Sequence, residues 1–258
     1  MKLRTLTAIA LAMGFAAPAA AQQEATKAEE VDVVAEDVVE LNEWGYEGLY
    51  EDSWTAGQVL DAPVYGPTGE EIGDVENIMV GTNGLVESLI LEIGGFLDIG
   101  DTHLRVPWSE VNAQLGGEGA PRIEVPVTQE TIEDLAEGEY DLFGGVAGEF
   151  TVVGDDEAST PRAWRVTELI DDYAVLEGGA RYGWVEDLLF DQAGRLKAVV
   201  VDAAYGPAYG PYAYPFFGYG YGFDPGYPYY ALPYEEEEVA QLEPLEREWL
   251  ESVEVADE

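Results

Sequence analysis

The side chains of this chain that could do chemistry are almost all carboxylates. The 258 residues include 53 Asp and Glu, 11 Lys and Arg, one histidine and no cysteine. His103 alone cannot build a histidine metal cluster or a triad that needs a second histidine, so we expect a structural role for it beside a strand. Without cysteine the chain has no disulfide, thiolate-bound metal, attached haem or lipid-modified cysteine.

Two short acidic stretches are candidate cation ligands. They are Asp98 to Asp101, which reads Asp-Ile-Gly-Asp, and Asp155 to Glu157. Calcium takes about six to eight oxygen ligands, and neither stretch has the EF-hand spacing, so we interpret both as turns. A glycosidase-like carboxylate pair cannot be singled out among so many acids. The sequence also lacks a phosphate-binding loop, a nucleophile elbow and a Rossmann glycine pattern. We therefore expect no catalytic residue, no cofactor and no specific metal site.

The charge balance restricts the partners. The formal net charge is −42 at pH 7. Nucleic acids and anionic lipid surfaces are disfavoured because like charges repel and the chain has no basic patch. A cationic partner and weak binding of divalent cations are both compatible with this charge. The simpler interpretation is a solvated acidic surface, whose self-repulsion salt screens beyond about 10 Å at 0.1 M.

A repeated segment organises the elements that would position any site. Gly73–Ile93 returns as Gly183–Asp202 at an offset of 110 residues (183 − 73). Each copy predicts a β-hairpin with a glycine-ended turn, and the consecutive apolar residues of its return strand predict burial on both faces. The pairs that anchor the repeat are Trp54 and Trp164, Gly73 and Gly183, Val75 and Val185, and Asn77 and Asp187.

Local spacing adds two predictions to each hairpin. Val75 and Ile78 are three residues apart, which breaks strand alternation and predicts a β-bulge. Asn77 and Asp187 occupy the same polar position beside that bulge, and we expect their side chains to hydrogen-bond to the backbone there rather than to act in catalysis. Upstream, Thr55 followed by Gln58 is typical of the capped start of a short helical turn.

Together these features resemble a known family. The helical turn, the glycine turn, Gly-x-Val-Glu-Asn/Asp and the strand end Val106–Ser109 (Val-Pro-Trp-Ser) are similar to the PRC-barrel domain of the photosynthetic reaction-centre H subunit and of a ribosome maturation factor. The resemblance covers Ser53–Val111 and, less closely, Ala163–Tyr234, where we align Ala231–Tyr234 with Arg105–Trp108. It implies a mainly β protein with two small PRC-barrel-like β-barrels in tandem and short helices. It also implies docking modules within larger assemblies rather than catalysts.

The chain divides by composition. Residues 1–21 combine a basic start, a short apolar run and an Ala-x-Ala end, which predicts a signal peptide and hence a periplasmic protein that does not insert into the membrane after cleavage. The remaining predicted segments are an acidic disordered arm (22–50), a first domain (51–137), a Gly/acid-rich linker (138–160), a second domain (161–250) with an aromatic insertion (205–230), and an acidic tail (251–258). An apolar patch in the linker, Leu142–Phe143 and Phe150–Val153, is expected to pack back on a barrel.

The aromatic insertion has two interpretations of equal weight. Its glycines and prolines are compatible with a flexible loop and exclude a regular helix or interior strand. Yet solvated linkers are seldom aromatic, and tyrosine rings give contact area at a low entropy cost. As a disordered binding segment it would contact a partner through Tyr209, Tyr212, Tyr214, Phe216, Phe217, Tyr219, Tyr221, Phe223 and Tyr227.

Three functional hypotheses follow. The first is a non-enzymatic binding or scaffold module of the bacterial cell envelope, which docks a protein or envelope component through its barrels and its Tyr-rich loop. The alternative is an acidic cation-buffering or salt-adaptation periplasmic protein without a specific partner. An envelope hydrolase that uses acidic residues is the weakest of the three.

Overall fold

The computed structural model describes residues 38–94, 102–115, 121–128, 130–132, 150–154, 163–205, 209–217 and 227–254, with side chains to residue 250. They belong to one compact unit, Ala35–Glu258. The predicted signal peptide, both acidic turns and most of the linker lie outside the described residues. The fold is mainly β, which confirms the predicted class.

The strands fall into two matching sets, which we name repeat 1 (53–132) and repeat 2 (163–239). Repeat 1 contains β1 (Ser53–Thr55), β2 (Pro63–Tyr65), β3 (Glu71–Gly81), β4 (Val86–Ile93), β5 (Thr102–Pro107), β6 (Asn112–Gln114) and β7 (Arg122–Glu124). The strand between the repeats is β8 (Thr151–Val153). Repeat 2 contains β9 (Ala163–Arg165), β10 (Tyr173–Val175), β11 (Arg181–Asp191), β12 (Leu196–Ala203), β13 (Gly210–Pro215) and β14 (Tyr229–Ala231).

Two sheets result, and neither closes into the barrel that the resemblance implied. Among the described residues the eight-stranded sheet runs β6-β7-β2-β3-β4-β5-β8, with β9 also paired to β3. The six-stranded sheet runs β13-β12-β11-β10-β14, with β1 also paired to β11. Because each order is an open path, the predicted closed barrels are wrong in this respect, although the strand class is right.

The first strand of each repeat lies in the sheet of the other. Trp54 of β1 is antiparallel to Phe190 of β11, and Trp164 of β9 is antiparallel to Val80 of β3. The hairpin turns also meet: the Val86 amide donates to the Gly194 carbonyl, and the Leu196 amide donates to the Gly84 carbonyl, both at 2.8 Å. These reciprocal contacts join the repeats through backbone hydrogen bonds.

The exchanged tryptophans sit in one continuous core. Trp54 and Trp164 are fully buried within a single apolar cluster that draws on both repeats. The Trp54 ring stacks on Phe190 at a centroid distance of 4.5 Å. Burial of two large indoles removes several hundred Å² of apolar surface from water, so the inter-repeat contact is a major source of stability.

The helices in the described part of the chain are short. They include α1 (Glu47–Asp52), α2 (Ala56–Val59), α3 (Glu236–Val239) and α4 (Arg247–Glu254), with 3-10 turns at Leu41–Glu43, Trp108–Glu110 and Val166–Glu168. The predicted cap is present, since Thr55 Oγ1 accepts from the Gln58 amide at 3.0 Å. No helix in the described part of the chain is long and apolar enough to cross a membrane.

Residues 38–50 correct the predicted disordered arm. Leu41 and Leu49 are buried, and the Trp44 indole donates to the Ala213 carbonyl at 2.8 Å. The Tyr234 hydroxyl donates to the Val39 carbonyl at 3.0 Å. The acidic composition predicted disorder for this stretch. Its aromatic residues Trp44, Tyr46 and Tyr50 nevertheless supply enough apolar surface to order this end of the arm. Residues 22–37 lie outside the described residues.

The aromatic insertion also needs correction. Gly210–Pro215 is not a loop but strand β13, paired antiparallel with β12. Its register aligns Tyr214 with Val106 at an offset of 108 residues (214 − 106), so Pro215 corresponds to Pro107 and Phe216 to Trp108. The earlier alignment of Ala231–Tyr234 with Arg105–Trp108 is therefore wrong. The match is not evident from the sequence, because Val-Pro-Trp of repeat 1 is Tyr-Pro-Phe in repeat 2 and only the proline is identical.

Residues 231–234 instead correspond to the end of repeat 1. Tyr230 of β14 lies parallel beside Ala174, as Ile123 of β7 lies parallel beside Val64, at an offset of 107 residues (230 − 123). The predicted packing of the linker is confirmed for its described part. Phe150 is buried and β8 pairs with β5.

Candidate interaction surface

The hairpin glycines are fixed by close backbone approach. A Cβ on Gly73 would overlap the carbonyl oxygen of Glu92, and one on Gly183 would overlap the carbonyl oxygen of Asp202. Bulges follow in both hairpins, between Val75 and Asn77 and between Val185 and Asp187. The predicted bulge is thus confirmed in both copies, and both glycines are structural.

Asn77 and Asp187 join the repeats as well as the bulge. Asn77 Oδ1 accepts from the Ile78 amide at 3.0 Å, and its Nδ2 donates to Thr167 Oγ1 at 2.8 Å. Asp187 Oδ1 accepts from the Leu188 amide at 2.6 Å and from the Gly57 amide at 3.1 Å. Backbone bonding beside the bulge is confirmed. The bond from each side chain to the opposite repeat could not be read from one copy alone.

His103 lies beside an ion pair that joins the repeats. It belongs to β5, and its Nε2 is 3.5 Å from Glu76 Oε2. Glu76 also pairs with Arg165 of repeat 2 at 2.7 Å. The matching carboxylate in repeat 2, Glu186, pairs instead with Arg247 of α4 at 3.1 Å. These contacts tie strands and a helix together.

One carboxylate titrates away from its ordinary range. Burial, with a smaller contribution from the nearby Glu168 carboxylate, raises the pKa of Asp172 to about 6. One oxygen of each of these two carboxylates is buried without a hydrogen-bond partner. The pair lies at the start of β10, and the matching residues of repeat 1, Ala62 and Gln58, carry no charge.

The predicted contact residues of the insertion divide into four groups. Tyr212 and Tyr214 are buried in β13, so they are core residues rather than contact residues in this fold. Phe216 and Phe217 are partly buried against the core. Tyr209 and Tyr227 are 73% and 55% exposed, and their contact with a partner stays a prediction. The other three, Tyr219, Tyr221 and Phe223, lie outside the described residues.

The buried tyrosines form a hydrogen-bonded pair. The Tyr182 and Tyr214 hydroxyls are 2.7 Å apart, and their rings meet edge to face. Burial raises the pKa of Tyr182 to about 12 and that of Tyr214 further. Both hydroxyls therefore stay protonated at physiological pH, and this pair serves packing.

Sequence reasoning missed a row of aromatic side chains on the outer face of repeat 2. Trp184 and Tyr173 are cross-strand neighbours with ring centroids 5.8 Å apart, and Tyr205 continues the row 5.5 Å beyond Trp184. On the other side Tyr173 is paired with Tyr229, whose ring is 5.8 Å from Tyr227. We name these five residues the aromatic row.

The missed signal lies in the difference between the copies. At the offset of 110 residues, Tyr173 and Trp184 of repeat 2 replace Pro63 and Asp74 of repeat 1. A gain of large aromatics at positions that one copy leaves small or charged marks a surface that the fold does not require. A comparison of the two copies for shared residues does not reveal these substitutions.

The described residues do not assemble a metal centre. Among them no group of three or more Asp, Glu or His side chains is placed to hold a metal ion. The two acidic turns considered for calcium lie outside the described residues.

Comparison with known families decides the identity of repeat 1. A family model described as the PRC-barrel domain matches residues 54–129. Residues 54–129 are a PRC-barrel domain. A search of curated protein sequences found no match.

PRC-barrel domains are a non-catalytic family whose members mediate protein–protein interactions and scaffolding. The family match ends before repeat 2, whose likeness to repeat 1 rests on the shared register and burial described above. The chain thus carries one PRC-barrel domain and a structurally matching second repeat.

Proposed function

We propose that this protein is an exported, non-catalytic docking module of the cell envelope. The PRC-barrel match is the observation that carries the proposal, because members of that family mediate protein–protein interactions. The signal-like start of the sequence supports export. Exposed tyrosines at the borders of the aromatic insertion support contact with a partner, since tyrosine is enriched in protein interfaces.

The structure determines which variants of the insertion can test this proposal. Deleting the whole insertion would remove β13, so loss of binding could reflect loss of the sheet. Substituting Tyr209 and Tyr227 by serine alters only exposed side chains. We would crosslink the full-length protein in cells and compare the captured proteins between the wild type and this double variant.

We expect one discrete partner, recovered from the periplasmic fraction by the wild type and reduced in the double variant. Tyr65→Ser, at a partly exposed tyrosine of repeat 1, is the matched control and should keep the partner. Identical background proteins from all three chains would contradict a docking function. Weak, non-saturating calcium uptake together with that result would favour the cation-buffering alternative.

A further inference from the structure

We infer that the aromatic row of repeat 2 binds a cationic, extended segment of the partner protein. This inference rests on the proposed docking function and names its surface and the chemistry of its ligand. The row is defined above as Tyr205, Trp184, Tyr173, Tyr229 and Tyr227.

Four of the five members of the row are exposed although their rings are large, and Trp184 is partly buried. Tyr173 is 37%, Tyr229 40%, Tyr205 41% and Tyr227 55% exposed, whereas their strand neighbours Ala174 and Tyr230 are fully buried. The strand alternation therefore places core residues on one face and the row on the other. Contiguous exposed aromatics on an otherwise acidic protein are typical of an interaction site.

The fold itself does not need these rings. The positions that match Tyr173, Trp184 and Tyr229 in repeat 1 are Pro63, Asp74 and Arg122. Repeat 1 forms the same strands with the same register without aromatics there. Packing therefore does not explain the row, and a ligand of repeat 2 does.

Charged side chains of the protein itself show how this face engages arginine. The guanidinium of Arg181 already lies over the Tyr173 ring, 4.0 Å from its centroid. Asp202 is the cross-strand neighbour of Trp184. A second guanidinium, that of Arg247, lies 3.2 Å from Asp202 and 3.1 Å from Glu186. This face thus holds arginine by two mechanisms, ring stacking and carboxylate pairing.

The net charge of the whole chain acts in the same direction. At −42 the protein attracts cationic partners and repels anionic ones such as nucleic acids. A neutral glycan would gain ring stacking but nothing from the carboxylates. The combination of exposed rings with a strongly negative chain therefore points to Arg or Lys side chains.

The geometry also fits an extended chain. The row crosses the strands, with ring centroids 5.5 to 5.8 Å apart from Tyr205 through Trp184 to Tyr173 and 5.8 Å apart between Tyr229 and Tyr227. Alternate side chains of an extended strand lie on one face, about 6.6 Å apart along the chain. A basic segment in that conformation would therefore place successive side chains of one face over successive rings.

The test measures binding of short synthetic peptides to the full-length protein by calorimetry at physiological salt. The probes are an alternating Arg-Pro peptide, its Ser-Pro counterpart and a neutral chitin oligosaccharide. The variants are the pair Tyr173→Ser with Tyr229→Ser, the pair Tyr173→Phe with Tyr229→Phe, and Tyr65→Ser. Tyr65 is the control because Arg122 stacks over it at 4.3 Å in repeat 1, outside any aromatic row.

All variants keep the net charge, so general attraction of a polycation is the same for each. We expect the serine pair to weaken Arg-Pro binding by about tenfold or more, while the phenylalanine pair and Tyr65→Ser stay close to the wild type. Unchanged thermal unfolding of the serine pair would confirm that the fold is intact.

Equal Arg-Pro binding by all variants would overturn the assignment of the surface. Equal or tighter binding of the Ser-Pro peptide or the oligosaccharide would overturn the cationic ligand. Either result leaves the docking function standing if crosslinking still captures a partner that depends on Tyr209 and Tyr227. Loss of that partner dependence alone would remove the docking function without touching the peptide result.

Discussion

Repeats 1 and 2 share their strand register but protect their outermost long strands differently. In repeat 1, β5 is covered by β8, which pairs with it in the linker segment. In repeat 2, the outer edge of β13 carries Pro211 and Pro215, which have no amide proton to leave unpaired. Between them, Ala213 donates to the Tyr46 hydroxyl and accepts from the Trp44 indole.

Repeats 1 and 2 therefore share the interior of the fold but not the way in which its edges are covered. Both edges need cover, because an open strand edge invites pairing with another chain. In repeat 1 strand β8 covers the edge of β5, and in repeat 2 two prolines and the side chains of Trp44 and Tyr46 cover the edge of β13. The surface is then free to diverge, and only repeat 2 carries the aromatic row.

The largest expected effect tests whether the repeats unfold together. Gly73→Ala and Gly183→Ala each force a Cβ into a backbone carbonyl of the neighbouring strand, so each should lower the free energy of unfolding by about 3 kcal/mol. Since the strands are exchanged, calorimetry should show one transition that shifts for either variant. Two transitions, of which one shifts, would show that the repeats are independent; Gly94→Ala, where a Cβ would meet no neighbouring atom, controls for glycine replacement elsewhere.

The next largest effect compares the two repeats at the β-bulge, where Asn77 and Asp187 occupy matching positions. Asn77→Ala and Asp187→Ala should each cost about 1–2 kcal/mol, because each side chain makes two hydrogen bonds, one beside the bulge and one to the opposite repeat. Urea unfolding measures both values. Asn83→Ala, which removes one exposed turn bond, is the control and should change little. If Asn77→Ala left stability unchanged, its bond to Thr167 would contribute nothing.

The edge of β13 gives a smaller effect. Tyr46→Phe removes the hydroxyl that accepts the Ala213 amide and should cost about 1 kcal/mol. Hydrogen exchange of the Ala213 amide should accelerate in this variant, while the amides of β5 beneath β8 stay protected. Unchanged exchange at Ala213 would mean that another group covers this edge.

The smallest effect is a pH dependence confined to repeat 2. The raised pKa of Asp172 means that the folded state holds its proton more tightly than the unfolded chain, so its contribution to stability is complete below about pH 4 and lost as pH rises through 6. Because the group is largely solvated, we expect about 1 kcal/mol after screening. Asp172→Asn should be more stable than the wild type at pH 7 and should flatten stability between pH 4 and 7. A wild-type pH profile retained by this variant would contradict the assignment.

The sequence was most informative where a physical constraint acts within one hairpin. The bulge, the glycine-ended turns and the doubly buried return strands follow from spacing and composition, and the structure has all of them. The strand exchange could not be predicted, because Trp54 would be equally buried beside its own hairpin or beside the other. β13 was missed because proline excludes interior strands but is compatible with an edge.

The candidate surface was only partly predictable for a related reason. Composition alone cannot separate a buried tyrosine from an exposed one, so Tyr214 and Tyr209 received the same prediction although their exposures differ completely. The residues of the aromatic row come from strands distant in sequence. Register brings Tyr173, Trp184 and Tyr229 together, and register was not available before the fold.

The exchange of first strands delays folding of the amino-terminal half during synthesis. β1 finds its partner only when β11 has left the ribosome, and β3 lacks β9 until residue 165 has emerged. The amino-terminal half therefore waits, with Trp54 without its stacking partner Phe190, through more than a hundred further residues of elongation. Long-range pairing of this kind slows folding and leaves apolar surface accessible meanwhile. A growing chain in that state is a natural client for chaperones that hold polypeptides extended.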